Sequence, residues 1–541
     1  MNESKLIISL LLGMSLAACG GSGGDSGTTP PPPEPPAPSY PDYTDVSALG
    51  GETTTFDTSN SGHGFSTPAP NLTDAELDLH LTGDAAFETS FTTAPNLEHP
   101  DLDGLGPVFN NADCNSCHQR DGRNSTILPP AGSERIKLGA DAGIFLRMSL
   151  PFDVPCEVPA AANDFCSPVA VPGFGTQLFH RGVLKARADW EDYPFIGQAD
   201  VYLSWEYSTV SYPDGVEVTL KKPRFEIENP YDAPGETRQS ANVTSALLQD
   251  NVLVGARNSM PVFGLGLLEA IAEQDILANA DPDDSDNDGI SGRANYVFDA
   301  LKARDGDANP VSLGRFGWKA NAPSVRAQGL EALRSDMGIT SPLFPEESIA
   351  GTPMHDSYLT RTGFNDTGTG IDGEPETDQD FSDAVIFYVE TLAVPARRNV
   401  ADSNVREGAR LFQQVNCTAC HTPKFVTQSS GDIGGVAMPA GLAAQTIYPF
   451  SDMLLHDMGD DLADNRPDFL ANGKEWRTRP LWGLGLTQTV NPQAGFLHDS
   501  RAATVEEAVL WHGGEAQDSR DAFMALNANE RAQLLSFLMS L

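Results

Sequence analysis

The chain has 541 residues, enough for two or three domains with cores of their own. It carries 75 Asp and Glu against 34 Lys and Arg, a formal net charge of −41. That balance excludes nucleic acid as a partner, because neutralising phosphate takes clustered Lys and Arg, and it excludes docking onto anionic lipid through protein charge.

At the N-terminus Lys5 precedes an apolar run from Leu6 to Leu16, which ends in Leu16-Ala17-Ala18-Cys19. A short apolar core closing on small residues reads as a signal peptide over residues 1–19, too short to span a bilayer. The ending resembles a bacterial lipoprotein box, in which Cys19 is acylated after cleavage. The expected location is therefore the bacterial cell envelope, anchored by lipid at the outer membrane, with the globular part in the periplasm or at the surface. Residues 20–49 are rich in Gly and Ser and then in Pro, including Pro30 to Pro33, and read as a spacer. No other stretch is long and apolar enough to span a membrane, so membrane contact is expected through the lipid anchor only.

Six cysteines follow Cys19. Four make two motifs, Cys114-Asn-Ser-Cys117-His118 and Cys417-Thr-Ala-Cys420-His421. Two thiols at this spacing reach the two vinyl groups of a haem as thioethers, and the histidine that follows ligates the iron. A zinc ribbon would use all four thiolates at far closer spacing, and a redox dithiol would not demand histidine next, twice. Two covalently bound haems c are the expected cofactors. Cys156 and Cys166 read as a local disulfide in an exported chain, worth about 2–3 kcal/mol on a chain-entropy estimate, with two free thiols as the alternative.

Helical patterns bracket the second motif, from Glu407 to Phe412 before it and from Asn529 to Leu541 after it, with Asn527 or Asn529 as cap. Phe381 to Leu392 closes the first unit in the same way and stops near Pro395. The order of signals repeats: Pro261-Val-Phe-Gly-Leu-Gly-Leu267 returns as Pro480-Leu-Trp-Gly-Leu-Gly-Leu486, and Ala322-Pro-Ser-Val325 as Ala502-Ala-Thr-Val505. The expected fold is mainly α, with two cytochrome c-like haem domains in tandem over residues 50–396 and 397–541. Long loop-rich insertions and a little β belong to the first, with alternation at Val216-Glu-Val-Thr-Leu220.

Several segments in combination resemble the di-haem oxidoreductase, or peroxidase-like, family, also labelled thiol oxidoreductases and distantly related to bacterial di-haem cytochrome c peroxidases. They include Gly104-Leu-Gly-Pro-Val-Phe-Asn110, Gly264-Leu-Gly-Leu-Leu-Glu-Ala-Ile271, Asp288-Gly-Ile-Ser-Gly-Arg293, Gly314-Arg-Phe-Gly-Trp-Lys-Ala320, Asp336-Met-Gly-Ile-Thr340, Leu454-Leu-His-Asp-Met-Gly459 and Trp511-His-Gly-Gly-Glu515. The resemblance implies one reactive haem in the N-terminal unit and one six-coordinate haem that relays electrons. It also implies peroxide or another small oxidant as substrate and a small periplasmic electron-transfer partner; the acidic charge reads as a solubility adaptation or as steering of a basic partner, a cytochrome or cupredoxin. A non-enzymatic electron-transfer lipoprotein is the alternative function.

The proximal ligands His118 and His421 follow from the motifs. For the second iron His512 is the expected distal ligand, set against a surface histidine at a helix end, with Met458 as its rival. His456 and His498 are expected to bond propionates or loop backbone. At the first haem the resemblance points to Asp336, just before Met337, as the acid–base group that moves a proton between the oxygens of peroxide, with Glu269 and Glu331 behind it. Met260 or Met148 would instead close that site. Trp318 stands where the relatives carry a tryptophan between haems, and core packing is its other reading. Asp284, Asp286 and Asp288 before Gly289 offer alternate carboxylates for calcium, and Asn295 at the twelfth position departs from an EF-hand. An acidic surface turn is the other reading, and calcium in the relatives favours the metal.

Overall fold

The computed structural model describes residues 40–57, 61–93, 96, 98–99, 102–139, 142–152, 167–182, 197–362 and 374–541. The signal peptide with Cys19, and Cys156 with Cys166, lie outside the described residues. Residues 40–541 group as one unit. Tyr43 and Leu49, in the stretch expected to be spacer, are buried. Among the described residues no helix is long and apolar enough to cross a membrane.

Two helix pairs frame the molecule. The helix Asp74–Phe87 starts on a reciprocal capping box of Thr73 and Glu76 and packs on Gln379–Thr391, which ends where Leu392 turns extended. The helix Ser403–Gln414 packs likewise on Ala528–Ser540, itself started by a capping box of Asn527 and Glu530. Each crossing places a glycine at the contact: a Cβ on Gly83 would lie 2.0 Å from Ala384 O, and one on Gly408 2.0 Å from Gln533 O. Four residues on, Phe87 and Phe412 each set a ring 6.2 Å from the imidazole of a motif histidine, His118 and His421 respectively.

The repeat noticed in sequence is a repeat in space. Gly264 and Gly483 both adopt left-handed backbone, φ +70° and +72°, to start a helical turn. They also face one another: a Cβ on Gly264 would strike Trp482 at 2.8 Å, and one on Gly483 would strike Phe263 at 2.4 Å. The aromatic of each copy thus packs on the glycine of the other. Farther on, the bridges Phe316 to Ala322 and Phe496 to Ala502 correspond, as do the caps Ser324 and Thr504 that open the helices Val325–Ala332 and Val505–Leu510.

The expectation of a mainly α fold does not hold: 30% of the described residues are helix and 20% strand, in many small sheets. The strands Asp200–Ser211 and Glu217–Glu228 form one long antiparallel hairpin, extended by Arg135–Lys137. A second sheet orders Gln177–Leu178, Ile144–Ser149 and Leu253–Asn258 over a core of its own around Leu146, Met148 and Phe174. One short alternating stretch showed in sequence, but Glu217–Glu228 runs on through Lys221, Lys222, Pro223 and Arg224, a polar run whose two faces are both partly exposed. Such a strand has no clean period of two to detect. The hairpin tip reaches the C-terminal helices, where Tyr212 donates to Glu506 over 2.7 Å and Arg531 pairs with Asp214. Arg397, between the helix pairs, donates to the carbonyls of Tyr43 and Thr44 and to Ser540.

Candidate functional site: two paired-thiol centres

The two Cys-x-x-Cys-His segments are short helical turns, Cys114–Cys117 capped by Asp113 and Cys417–Ala419 entered through left-handed Asn416. All four thiols are free and partly accessible, yet protein surrounds them, so their accessible surface opens into interior space rather than bulk water. Burial accordingly pushes the Cys114 and Cys417 thiols up to about 12 and raises Cys117 and Cys420. These are neutral thiols, unlike the thiolates of zinc or redox sites. Among the described residues the single cluster with metal-ligand spacing contains no cysteine.

Three histidines are prepared alike. His118 donates from Nδ1 to Met260 O over 2.7 Å, His421 to Phe450 O over 2.9 Å, and His512 to Ala508 O over 2.8 Å. A donated Nδ1–H leaves Nε2 with a bare lone pair, the form an iron ligand needs. Burial keeps them neutral, His118 and His421 down at about 4 and His512 also lowered. His421 and His512 line one cavity with Cys417, Cys420 and Met458, and each is within electrostatic reach of the other. Two thiols, a proximal imidazole and an opposing imidazole suit a haem held at both faces.

The first centre differs at one decisive position. Aligning the helices Val325–Ala332 and Val505–Leu510 on their first valines brings Ala332 to the place of His512. No ligand comes from Ala332. The chain instead continues through a π-helical turn, Leu333–Met337, a distortion common at functional sites. It carries Asp336 to the Cys117 side, where its charge is felt by both thiols. The Asp336 carbonyl accepts from the N–H groups of Asn110 and Asn111, at 2.7 and 3.3 Å. Its carboxyl accepts from Gln177 over 2.6 Å, and Asn111 reaches Cys117 Sγ at 2.9 Å. Burial holds the Asp336 carboxyl above the usual carboxylate range, against the opposing pull of Arg147. Asn110, through both amide atoms, and Gln177 Oε1 are buried there with no partner among the described residues, a polar lining able to take hydrogen bonds.

The other named residues fall in three groups. Glu269 is structural: it accepts from Val325 N over 3.0 Å, capping that helix, and faces Glu390 beside Gly434. Burial raises Glu269 to about 7, and burial together with the charge of Glu269 raises Glu390 well above its ordinary value. Glu331 bonds Ser335 and Arg334. Met148 is in the core of the second sheet, and Met260 turns its sulfur to Arg479 at 2.7 Å.

Trp318 donates to Asn258 O over 2.9 Å, lines the second cavity, and stands between the guanidiniums of Arg123 and Arg479, 5.4 and 5.2 Å from its ring. By the repeat it matches His498, which it meets edge-on at 6.3 Å. His498 stacks on Trp476 at 3.8 Å. His456 lies between Asp452 and Glu515, at 2.8 and 2.7 Å, with Cys420 Sγ 3.6 Å away.

The acidic loop gathers Asp281, Asp284 and Asp286, with oxygens within 4.8 Å of one another. Asp288, expected among them, turns back to accept from Ile290 N over 2.8 Å, and Asp281 takes its place. Sequence reading missed the Gly-x-x-x-Phe spacing shared by Gly83–Phe87 and Gly408–Phe412, and the polar set Asn110, Gln177 and Arg147. The first was a legible signal. The second comes from three distant segments and was not.

A family profile described as "Di-haem oxidoreductase, putative peroxidase" matches residues 43–541. A search of curated proteins returns no match. Among solved structures the chain is similar to one described as Kuenenia stuttgartiensis hydrazine synthase pressurised with xenon, at 18% identity and a TM-score of 0.21, covering 34% of this chain. The chain spans 62% of the length of that structure's chain.

Proposed function

The chain belongs to the di-haem oxidoreductase family, and from that premise we propose a peroxidase-type enzyme with two covalently attached haems c of unequal duty. Cys114, Cys117 and His118 hold the reactive one. Cys417, Cys420 and His421, with His512 across the same cavity, would hold the relay haem. When bound, the haems supply redox-active iron, and the open one supplies the site where peroxide is reduced.

The residues of the chain do the rest. Asp336 would take a proton from peroxide bound at the first centre and return it to the departing oxygen. Gln177 holds that carboxyl by its 2.6 Å bond, and Arg147 balances its charge in the ionised state. Peroxide, two protons and two electrons give two waters, the electrons arriving from a small periplasmic donor by way of the relay centre. The acidic surface favours a basic cytochrome or cupredoxin as that donor, and a lipid on Cys19 would hold the enzyme at the cell envelope. The carboxylates of Asp281, Asp284 and Asp286 are the place for calcium, if the protein takes one.

One observation carries the reading: where the second centre presents His512, the first presents Ala332 and, one turn on, a buried carboxyl at Asp336. The test is steady-state peroxide turnover by wild type and Asp336→Ala, with optical spectra of each redox state. Two irons that are six-coordinate and low-spin in every state, with no turnover, would leave only an electron-transfer lipoprotein.

A further inference from the structure

Three guanidinium groups, Arg123, Arg477 and Arg479, converge on the cavity that Cys417, Cys420 and His421 line. Arg123 and Arg477 are buried and Arg479 is half-buried, and their hydrogen bonds leave much of them unused. Arg123 donates to Leu497 O, while its Nε has no partner among the described residues. Arg477 donates from Nε to Gly317 O over 3.0 Å, and one terminal nitrogen, NH1, has none. Arg479 reaches the Met260 sulfur, a weak acceptor.

Their charge is also unanswered. The carboxylates that Arg123 and Arg477 feel are each committed to another cation: Asp499 to Arg501 through contacts of 2.7 to 3.0 Å, and Asp452 to His456 at 2.8 Å. Arg479 feels only burial and the repulsion of the other two, which together put it well below the normal arginine range. Buried cations without counter-charge are costly, and a planar fork of donors matches a carboxylate in particular.

We propose that Arg123, Arg477 and Arg479 are the seat for a pair of carboxylates, the propionates of the haem held by Cys417 and Cys420. The inference rests on the two-haem reading above and specifies how that haem is oriented: propionates toward Trp318 and the first motif, thioethers toward the 417–420 turn. It also gives the first centre a hand in the second, because Arg123 is only five residues beyond His118.

The test uses the holoprotein and the variants R479M and R123M, with R477K as a charge-preserving control. Haem content by pyridine haemochrome comes first. Loss of the second haem in wild type sinks the two-haem reading itself, independently of the arginines. With both haems present, removing either cation should lower the reduction potential of the low-spin haem, because an unpaired propionate favours the ferric state. The propionate bending bands in resonance Raman should shift with it, and R477K should keep the potential near wild type. An unmoved potential and unmoved bands in both methionine variants overturn the proposal. So does a saturable shift of the wild-type potential on adding succinate, which would make the seat one for free dicarboxylates. If one methionine variant fails to fold, the other decides.

Discussion

At His421 the facing helix ends and hands the cavity His512; at His118 the matching helix reaches Ala332, winds into a π-turn and delivers Asp336. The surroundings repeat closely: a glycine-crossed helix pair, a phenylalanine against the motif histidine, a donated Nδ1–H. Duplication has kept the parts that position a cofactor and changed those that decide what it does. One difference of residue type, histidine against alanine, separates the two centres, and the proposed division into a closed and an open one rests on it.

The most severe way to break this comparison is to remove an attachment point. Cys417→Ser with Cys420→Ser should lower haem content from two per chain to one and abolish the low-spin signal, measured by pyridine haemochrome and electron paramagnetic resonance. A double variant that kept two haems would contradict the assignment. Next in size, Asp336→Ala should cut peroxide turnover by about 10²–10⁴-fold, the usual worth of a positioned proton carrier, while leaving both haems in place. Because burial raises the Asp336 carboxyl, the wild-type acid limb of kcat/KM should lie above the ordinary carboxylate range: turnover rises with pH as the base form appears. A limb near pH 4 would assign the proton to another group.

The comparison sharpens if the deciding residue is exchanged. His512→Ala should turn the second iron high-spin, and Ala332→His should turn the first low-spin and suppress turnover, both visible in optical spectra. Smallest is a stability effect away from both centres. Glu269 and Glu390 hold protons more tightly folded than unfolded. Their contribution is therefore full below the ordinary glutamate range and is lost as pH rises, through about 7 for Glu269 and through a range well above the ordinary one for Glu390. Glu390→Gln should raise Tm at pH 8 by removing that loss and change it little at pH 5. Equal shifts at the two pH values would refute the raised pKa of Glu390.

Much of the site was legible in sequence because the chemistry there is local. The motifs state their own thiols and proximal histidines, and the Gly-Leu-Gly-Leu and cap repeats gave the pairing that makes Ala332 and His512 equivalent. Helix ends were legible for the same reason: Asn527 and Asp378 write their caps within three residues. What sequence hid was assembled from afar. Asp336 meets Gln177 across 159 positions, and the long hairpin alternates too weakly to announce itself. Glu269 looked reactive inside a family-like segment and proved to be a helix cap. His456, expected to bond a propionate or loop backbone, lies between two carboxylates of its own chain, Asp452 and Glu515.

The hairpin between Asp200 and Glu228 has a consequence for how the molecule comes to be. Its tip is fastened by Asp214 to Arg531, 317 positions away, and Arg397 ties Tyr43 to Ser540. Contacts of such separation cannot form until nearly the whole chain is available, and they close loops whose entropy must be met before they contribute. In a chain emerging N-terminus first, residues 200–228 must wait, strand edges exposed, for the last two helices. Assembly is therefore set by its final forty residues, and a truncation there would strand the first half of the protein rather than merely shorten the second.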